Sequence, residues 1–190
     1  MQTIHQLSPL LISKIAAGEV IERPAYAVKE LIENALDAHA SDISVHIENN
    51  GLDVLQVSDN GVGMNQVDVR ESWKPHTTSK ISQEHDLHSL KSFGFRGEAL
   101  SSLSSVSILT IQSRLKENAT GFLVTVENGE VMRSTTVGMP VGTIIKAEQL
   151  FSQVPARKKF LKSMMCFRTY SFVWPLLVTI SHLKVRILVH

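Results

Sequence analysis

Residues 24–38 read PAYAVKELIENALDA, and this stretch predicts more about the fold than any other. Its apolar side chains recur every three or four residues, so they fall on one face of a helix: Val28, Leu31, Ile32, Ala35 and Leu36. Pro24 suits the first turn, where its missing N–H costs nothing. We therefore predict an amphipathic helix over residues 24–38 whose apolar face packs on a core.

The opposite face of this helix carries Glu30, Asn34 and Asp37. Glu30 and Asn34 are four residues apart, so their side chains lie one turn apart and can address the same space. A carboxylate there can orient a water molecule, and an amide oxygen can bind Mg²⁺. The simpler alternative is a solvated helix face, which is the usual meaning of a lone Glu-x-x-x-Asn.

The chain beyond the helix predicts a sheet. Ile43, Val45 and Ile47 alternate as in a strand, residues 49–51 favour a turn, and residues 53–58 predict a second, antiparallel strand. Residues 61–94 are polar and typical of a functional lid. After a helix at 98–103, we predict strands at 106–112, 122–127, 131–136, 143–148 and 184–189. The pattern indicates an α+β sandwich, with a mostly antiparallel sheet backed by helices.

The composition limits the possible functions. The 190 residues include 43% hydrophobic side chains and carry a formal charge of +1, so a DNA contact would have to be local. The single cysteine, Cys166, cannot form an internal disulfide or a thiol zinc site, which favours an intracellular location. Residues 1–20 lack a secretory pattern and place Leu7, Leu11 and Ile15 at helical spacing, which indicates a docking helix or latch. The apolar stretch at 172–180 is too short to span a bilayer.

Three glycine-containing segments point to a ligand. Asp59-Asn60-Gly61-Val62-Gly63 follows a predicted strand, and Asp59 could accept a hydrogen bond from an amine such as that of adenine, although Asp-Asn-Gly is also an ordinary turn. Residues 94–100 place glycines before a helix, where backbone N–H groups suit phosphate oxygens; a plain helix-entry turn is the alternative. Gly142-Thr143 opens the last strand before residue 150, and the Thr143 hydroxyl could join a water network around a base.

These elements, in this order and spacing, resemble the GHKL ATPase superfamily. The strings at 18–24, 28–38, 94–100 and 150–157 resemble, within it, the MutL family of DNA mismatch repair proteins. The resemblance covers the chain to about Ser163. It implies a GHKL-type (Bergerat) sandwich, with residues 1–150 as the ATP-binding domain. Residues 151–190 would form a linker and the start of a second α/β (transducer) domain.

The resemblance also implies roles for single residues. Glu30 would be the general base that activates water, and Asn34 would hold Mg²⁺ against the phosphates of ATP. Asp59 would recognise the adenine amine, Gly63 would give the base room, and Thr143 would support the water between them. Further nucleotide contacts would come from the lid and the phosphate loop: Thr78, Lys80, Gly94, Phe95, Arg96, Gly97 and Leu100.

The function implied by the resemblance is an ATP-dependent switch with ATP and Mg²⁺ as cofactors. Its partners would be a MutS-like mismatch-recognition protein, a second copy or a MutL-like paralogue, and DNA of any sequence, with no membrane. It would act in the cytoplasm or nucleoid of a prokaryote or the nucleus of a eukaryote. We expect weak hydrolysis from these 190 residues, because residues 151–190 resemble only the beginning of the second domain.

Two alternatives remain open. The basic run of Arg157, Lys158, Lys159 and Lys162 could track DNA phosphates or could be a solvated helix face. The chain could also be a nucleotide- or DNA-binding module without useful catalysis. A gyrase-like or chaperone ATPase is disfavoured by the MutL-like strings.

Overall fold

The structure is a computed structural model that describes residues 5–78, 98–163 and 184–190. Its helices are α1 (Pro9–Val20), α2 (Pro24–Asp37), α3 (Gln66–Glu71), α4 (Ala99–Val106) and α5 (Pro155–Ser163). Its strands are β1 (Asp42–Glu48), β2 (Val54–Asp59), β3 (Ile108–Arg114), β4 (Gly121–Glu127), β5 (Glu130–Val137), β6 (Gly142–Glu148) and β7 (Lys184–Val189). The α+β class predicted from the sequence is confirmed.

Helix α2 follows the predicted pattern closely. It begins at Pro24, and its apolar face lies in the core with Val28, Leu31 and Ile32 almost completely buried. This face meets alternate side chains of β1, among them Val45. Burial of each large aliphatic side chain contributes roughly 1.5–3 kcal/mol, so the packing of α2 on the sheet outweighs its missing side-chain N-cap.

A tight turn joins β1 to β2 as predicted, and Asn49–Gly51 forms one turn of 3₁₀ helix. Gly51 has φ of +82°, and a Cβ on it would lie 2.8 Å from the Cβ of Pro24. Glycine is therefore required both by the left-handed backbone and by the close approach of the start of α2. The antiparallel register pairs Val45 with Val57.

The described strands form one sheet in the order β5-β4-β3-β6-β2-β1-β7. β3, β4 and β5 follow one another as a meander, and Asn128 and Gly129 make the predicted hairpin turn with φ values of +53° and +76°. β6 then lies between β3 and β2 and pairs antiparallel with both. The last strand before residue 150 thus joins the β1–β2 hairpin to the meander.

One expectation needs correction in detail. The predicted strand at 106–112 begins later, because Val106 ends α4 and β3 runs from Ile108 to Arg114. The terminal strand β7 pairs in parallel with β1 and adds an edge to the same sheet, whereas its sequence resembles the first strand of a second domain. The division of the chain at residue 150 stays a prediction.

Helix α1 is capped by the Ser8 side chain and packs beside α4, where the Ser13 and Ser105 hydroxyls lie 2.7 Å apart. Its apolar stripe does not face the core, because Leu11 and Ile15 are 44% and 49% exposed. Of the five described helices, none combines the length and the apolar character that a membrane crossing requires.

Candidate functional site

The polar face of α2 carries Glu30 and Asn34, as predicted. The Glu30 side chain is 40% exposed, and Asn34 is half-buried one turn further on. Lys29 is 2.7 Å from the Glu33 carboxylate and 3.7 Å from that of Glu30, so its close ion pair is with Glu33. Sequence reasoning missed the burial of Glu33, although its i, i+4 spacing from Lys29 was a usable signal. Glu30 thus keeps a solvent-facing carboxylate.

The loop after β2 lies against the end of α2. Val62 N–H donates to the Ala38 carbonyl at 2.9 Å, and a Cβ on Gly61 would lie 2.6 Å from the same oxygen. The Asn60 side-chain oxygen accepts from the backbone N–H groups of Ser41 and Asp42 at 2.9 Å each. These contacts fix the loop of residues 59–63 to the turn that follows Asn34 on α2. The two predicted motifs therefore belong to one region of the surface.

Asp59 ends β2 in a half-buried position. Burial raises the pKa of its carboxyl from 3.8 to about 6, while hydrogen bonds from the Gly61 and Thr143 backbone amides oppose the rise. The Gly61 N–H donates to Asp59 Oδ1 at 2.8 Å. Above pH 6 the group is a desolvated acceptor, and such a group gains from a ligand that donates a hydrogen bond to it.

Two glycines let neighbouring backbones meet beside Asp59. A Cβ on Gly63, which has φ of +78°, would lie 2.2 Å from the Arg114 carbonyl oxygen. A Cβ on Gly142, which has φ of +125°, would lie 2.0 Å from the Asp59 carbonyl oxygen. The close approach to Arg114 by itself explains why position 63 is glycine. The predicted contact of Gly63 with a base stays a prediction.

A buried hydroxyl on β3 contacts both β6 and the segment that follows β2, and sequence reasoning missed it. Ser113 on β3 is 1% exposed, and its Oγ lies 2.9 Å from Thr143 Oγ1. The same oxygen lies 2.8 Å from Met64 N and 2.9 Å from the Gly142 carbonyl oxygen. A serine in a strand carries no local sequence signal for such a role. The arrangement places acceptors and hydroxyls together where β2 and β3 end and β6 begins.

Of the remaining predicted nucleotide contacts, only Thr78 and Leu100 belong to the described residues. Thr78 is exposed at the end of one described segment, and Leu100 is half-buried on α4 against the core. The others fall outside the described residues: Lys80, Gly94, Phe95, Arg96 and Gly97. Their roles stay predictions.

A cavity of about 330 Å³ lies beyond the loop of residues 59–63. Met64 and Ser113 line it together with Phe122 and the turn of residues 117–120, whereas Glu30, Asn34 and Asp59 do not. The cavity shares only its Met64–Ser113 wall with the Asp59 region, and the roles predicted for Asp59 and for the polar face of α2 stay predictions.

The basic run lies on α5, and one member of it has a structural role. The Arg157 guanidinium donates to the Glu22 carbonyl at 3.2 Å and lies 5.8 Å from the centre of the Phe151 ring. Lys158 is half-buried and Lys159 is exposed; Lys162 belongs to the same helix. Arg157 therefore connects α5 to the segment between α1 and α2.

The fold and the region around α2, Asp59 and Thr143 can be compared with known proteins. The family model described as histidine kinase-, DNA gyrase B- and HSP90-like ATPase matches residues 22–153, which include α2, Asp59 and Thr143. The chain belongs to this ATPase family. The resemblance drawn from its motifs is thereby confirmed.

Curated relatives narrow the placement within the ATPase family. The chain is 51% identical over 161 residues to the DNA mismatch repair protein MutL of Syntrophotalea carbinolica, covering 85% of this chain and 26% of that protein. It is 48% identical over 164 residues to MutL of Streptococcus equi subsp. zooepidemicus, covering 86% and 25%. The chain thus spans about a quarter of the length of these relatives.

Solved structures agree with this placement. The MutL ATPase domain of Aquifex aeolicus complexed with ADP has a TM-score of 0.71 and 31% identity, covering 90% of this chain and 61% of that one. The N-terminal domain of a DNA repair protein has a TM-score of 0.78 and 27% identity, covering 96% and 54%. The chain therefore contains a MutL-type domain of the ATPase family, with the mixed sheet that its sequence predicted.

Proposed function

We propose that this chain binds and slowly hydrolyses ATP as the nucleotide-dependent switch of a mismatch repair protein. The observation that carries the proposal is the half-buried, desolvated Asp59 carboxylate, which lies beside Thr143 and whose loop is joined to the end of α2 by the Val62–Ala38 hydrogen bond. A desolvated acceptor at a backbone turn suits the exocyclic amine of adenine. Thr143 would support a water molecule beside the base, and Gly63 would let the base approach the loop.

The α2 face suits the phosphate end of the same ligand. The amide oxygen of Asn34 would hold Mg²⁺, which prefers oxygen ligands and would shield the phosphate charge. Glu30 would accept a proton from water as the water oxygen bonds to the terminal phosphorus. The bond from that phosphorus to the bridging oxygen breaks, and the products are ADP and phosphate. Thr78, Lys80, Leu100 and the loop of residues 94–97 would close on the phosphates.

Slow turnover suits a switch. Positioning one water molecule and one metal ion lowers the barrier through geometry and charge, and the proposed site adds no further catalytic group from the described residues. Nucleotide binding would close the lid and favour pairing with a second copy or a MutL-like paralogue. The closed form would then engage a MutS-like protein and DNA.

The test of this proposal is nucleotide binding measured beside hydrolysis. We expect the chain to bind ATP by calorimetry, more tightly with Mg²⁺ than without it, and to release phosphate slowly. Asn34→Ala should lose the Mg²⁺-dependent part of the affinity, because the metal loses a ligand. Asn118→Ala, which alters an exposed asparagine outside the proposed site, is the matched control. Absence of ATP binding by the folded wild-type chain would refute the proposal.

DNA contact by α5 has its own test. Reversing Lys158 and Lys159 to glutamate should weaken binding to double-stranded DNA of any sequence and reduce the salt slope by about one for each DNA phosphate that the variant no longer neutralises. Lys116→Glu changes an exposed charge on another loop and should have no such effect. Arg157 is unsuitable for this test because its contacts with Glu22 and Phe151 stabilise the fold. An unchanged salt slope in the α5 variant would place any DNA contact elsewhere.

A further inference from the structure

The Ser113 hydroxyl has more neighbours than a single proton can serve. A hydroxyl offers one proton and two lone pairs. The Gly142 carbonyl, 2.9 Å away, can only accept, so it takes the Ser113 proton. The Met64 N–H, 2.8 Å away, can only donate, so it takes one lone pair. The remaining lone pair faces Thr143 Oγ1 at 2.9 Å.

This accounting fixes the direction of the Thr143 hydroxyl. Because Ser113 has no proton left, Thr143 donates its own proton to Ser113. The Thr143 oxygen then presents only lone pairs to any other neighbour. Water cannot easily replace Ser113 in this role, since Ser113 is 1% exposed. The hydroxyl of Thr143 is held in one orientation before any ligand arrives.

We propose that Ser113 is a positioning residue that makes the base site select for an unprotonated ring nitrogen. The inference rests on the proposed function, in which Thr143 supports a water molecule beside adenine. Since the Thr143 oxygen can only accept, that water donates one hydrogen bond to Thr143. Its other proton can then be donated to the base. Ring nitrogen N1 of adenine accepts such a proton, whereas guanine and hypoxanthine carry N1–H and cannot. Asp59 would accept a hydrogen bond from the adenine amine directly, without this water molecule.

Removing Ser113 should loosen this selection. In Ser113→Ala the Thr143 hydroxyl can rotate and donate to the water molecule, so the water no longer has a fixed proton for N1. The second contact of Ser113, with Met64 N, also disappears, so affinity for all nucleotides can fall. The diagnostic quantity is therefore a ratio of affinities and not one affinity.

The experiment compares ATP with 1-deaza-ATP, which keeps the amine and replaces N1 with C–H. We expect the wild-type chain to bind ATP roughly tenfold more tightly than 1-deaza-ATP, as loss of one hydrogen bond predicts. The ratio should fall to about threefold or less in Ser113→Ala and also in Thr143→Val, and the double variant should lose nothing further in the ratio, because both act through one hydroxyl. Ser107→Ala removes another buried serine hydroxyl, which donates to Leu103, and should keep the wild-type ratio.

A wild-type ratio in Ser113→Ala, with ATP still bound, would overturn the inference and leave the proposed function standing. Failure of the wild-type chain to bind ATP would overturn both. If Ser113→Ala does not fold, Ser113→Cys is measured in its place. Its sulfur is a weak hydrogen-bonding partner, so the affinity ratio should lie between that of the wild-type chain and the roughly threefold expected for Ser113→Ala. An unchanged ratio in that variant would overturn the inference equally.

Discussion

The Glu30→Ala variant should hydrolyse ATP at least about 100-fold more slowly than the wild-type chain, which is the lower end of what a general base contributes. ATP affinity should change less than about threefold, because the base acts on water and need not touch the nucleotide. The structure favours this separation, since the Glu30 side chain is 40% exposed and Lys29 makes its close ion pair with Glu33. Phosphate release under single-turnover conditions checks the expected loss of hydrolysis, and calorimetric binding checks the expected ATP affinity.

Two further variants sharpen the measurement. Glu30→Gln keeps the shape of the side chain and removes only its basicity, so it should match Glu30→Ala in turnover. Glu19→Gln neutralises an exposed carboxylate on α1 and should leave turnover unchanged. Parallel loss of binding and turnover in both Glu30 variants would mean that Glu30 holds the nucleotide and is not the base.

The Asp59→Asn variant should be more stable than the wild-type chain at pH 8, by at most about 3 kcal/mol. The native chain holds the Asp59 proton more tightly than the unfolded chain, because burial raises the pKa from 3.8 to about 6. The contribution of Asp59 to the free energy of unfolding is therefore most favourable below pH 3.8, and it is lost as pH rises to about 6. Asparagine has no such titration and can still accept from Gly61 N–H. Urea unfolding between pH 4.5 and 8 should show the advantage of the variant growing with pH.

The same substitution should weaken ATP binding by roughly 10- to 100-fold, because the amide can present a donor to the adenine amine and leave both groups unpaired. GTP, which carries an oxygen at that position, should lose less. Asp53→Asn alters an exposed aspartate immediately before β2 and serves as the control for both measurements. Equal losses for ATP and GTP would remove Asp59 from the role of base reader, and a variant without a stability gain at pH 8 would contradict the raised pKa of Asp59.

Much of the fold could be predicted because the deciding signals are local. The spacing of Val28, Leu31 and Ile32 specifies a helix and its buried face without reference to the rest of the chain. Asn128-Gly129 specifies a hairpin because both residues tolerate positive φ. The motif residues Asn34 and Asp59 were singled out by their types and spacing, and their roles stay predictions.

What sequence reasoning missed depends on partners distant in the chain. The parallel pairing of β7 with β1 is set by strand edges more than 130 residues apart, which no periodicity reveals. The raised pKa of Asp59 depends on how deeply the surrounding strands bury it. The contact between the Ser113 and Thr143 hydroxyls exists only because β3 lies beside β6 in the sheet. α1 has helical spacing, yet its stripe through Leu11 faces solvent because small residues such as Ala17 fill the contact with the core.

The central position of β6 has a consequence for the order in which the protein is assembled. During synthesis, the β1–β2 hairpin and the β3–β4–β5 meander emerge first, and each can form from neighbouring residues. The described sheet joins them only through β6, whose residues 142–148 are made after both. Asp59 and Ser113 therefore remain on separate pieces until β6 inserts between them, and the step closes loops of many residues at once, which is intrinsically slow. Within residues 1–150, the region proposed to read the base is therefore complete only after β6 has paired with both β2 and β3.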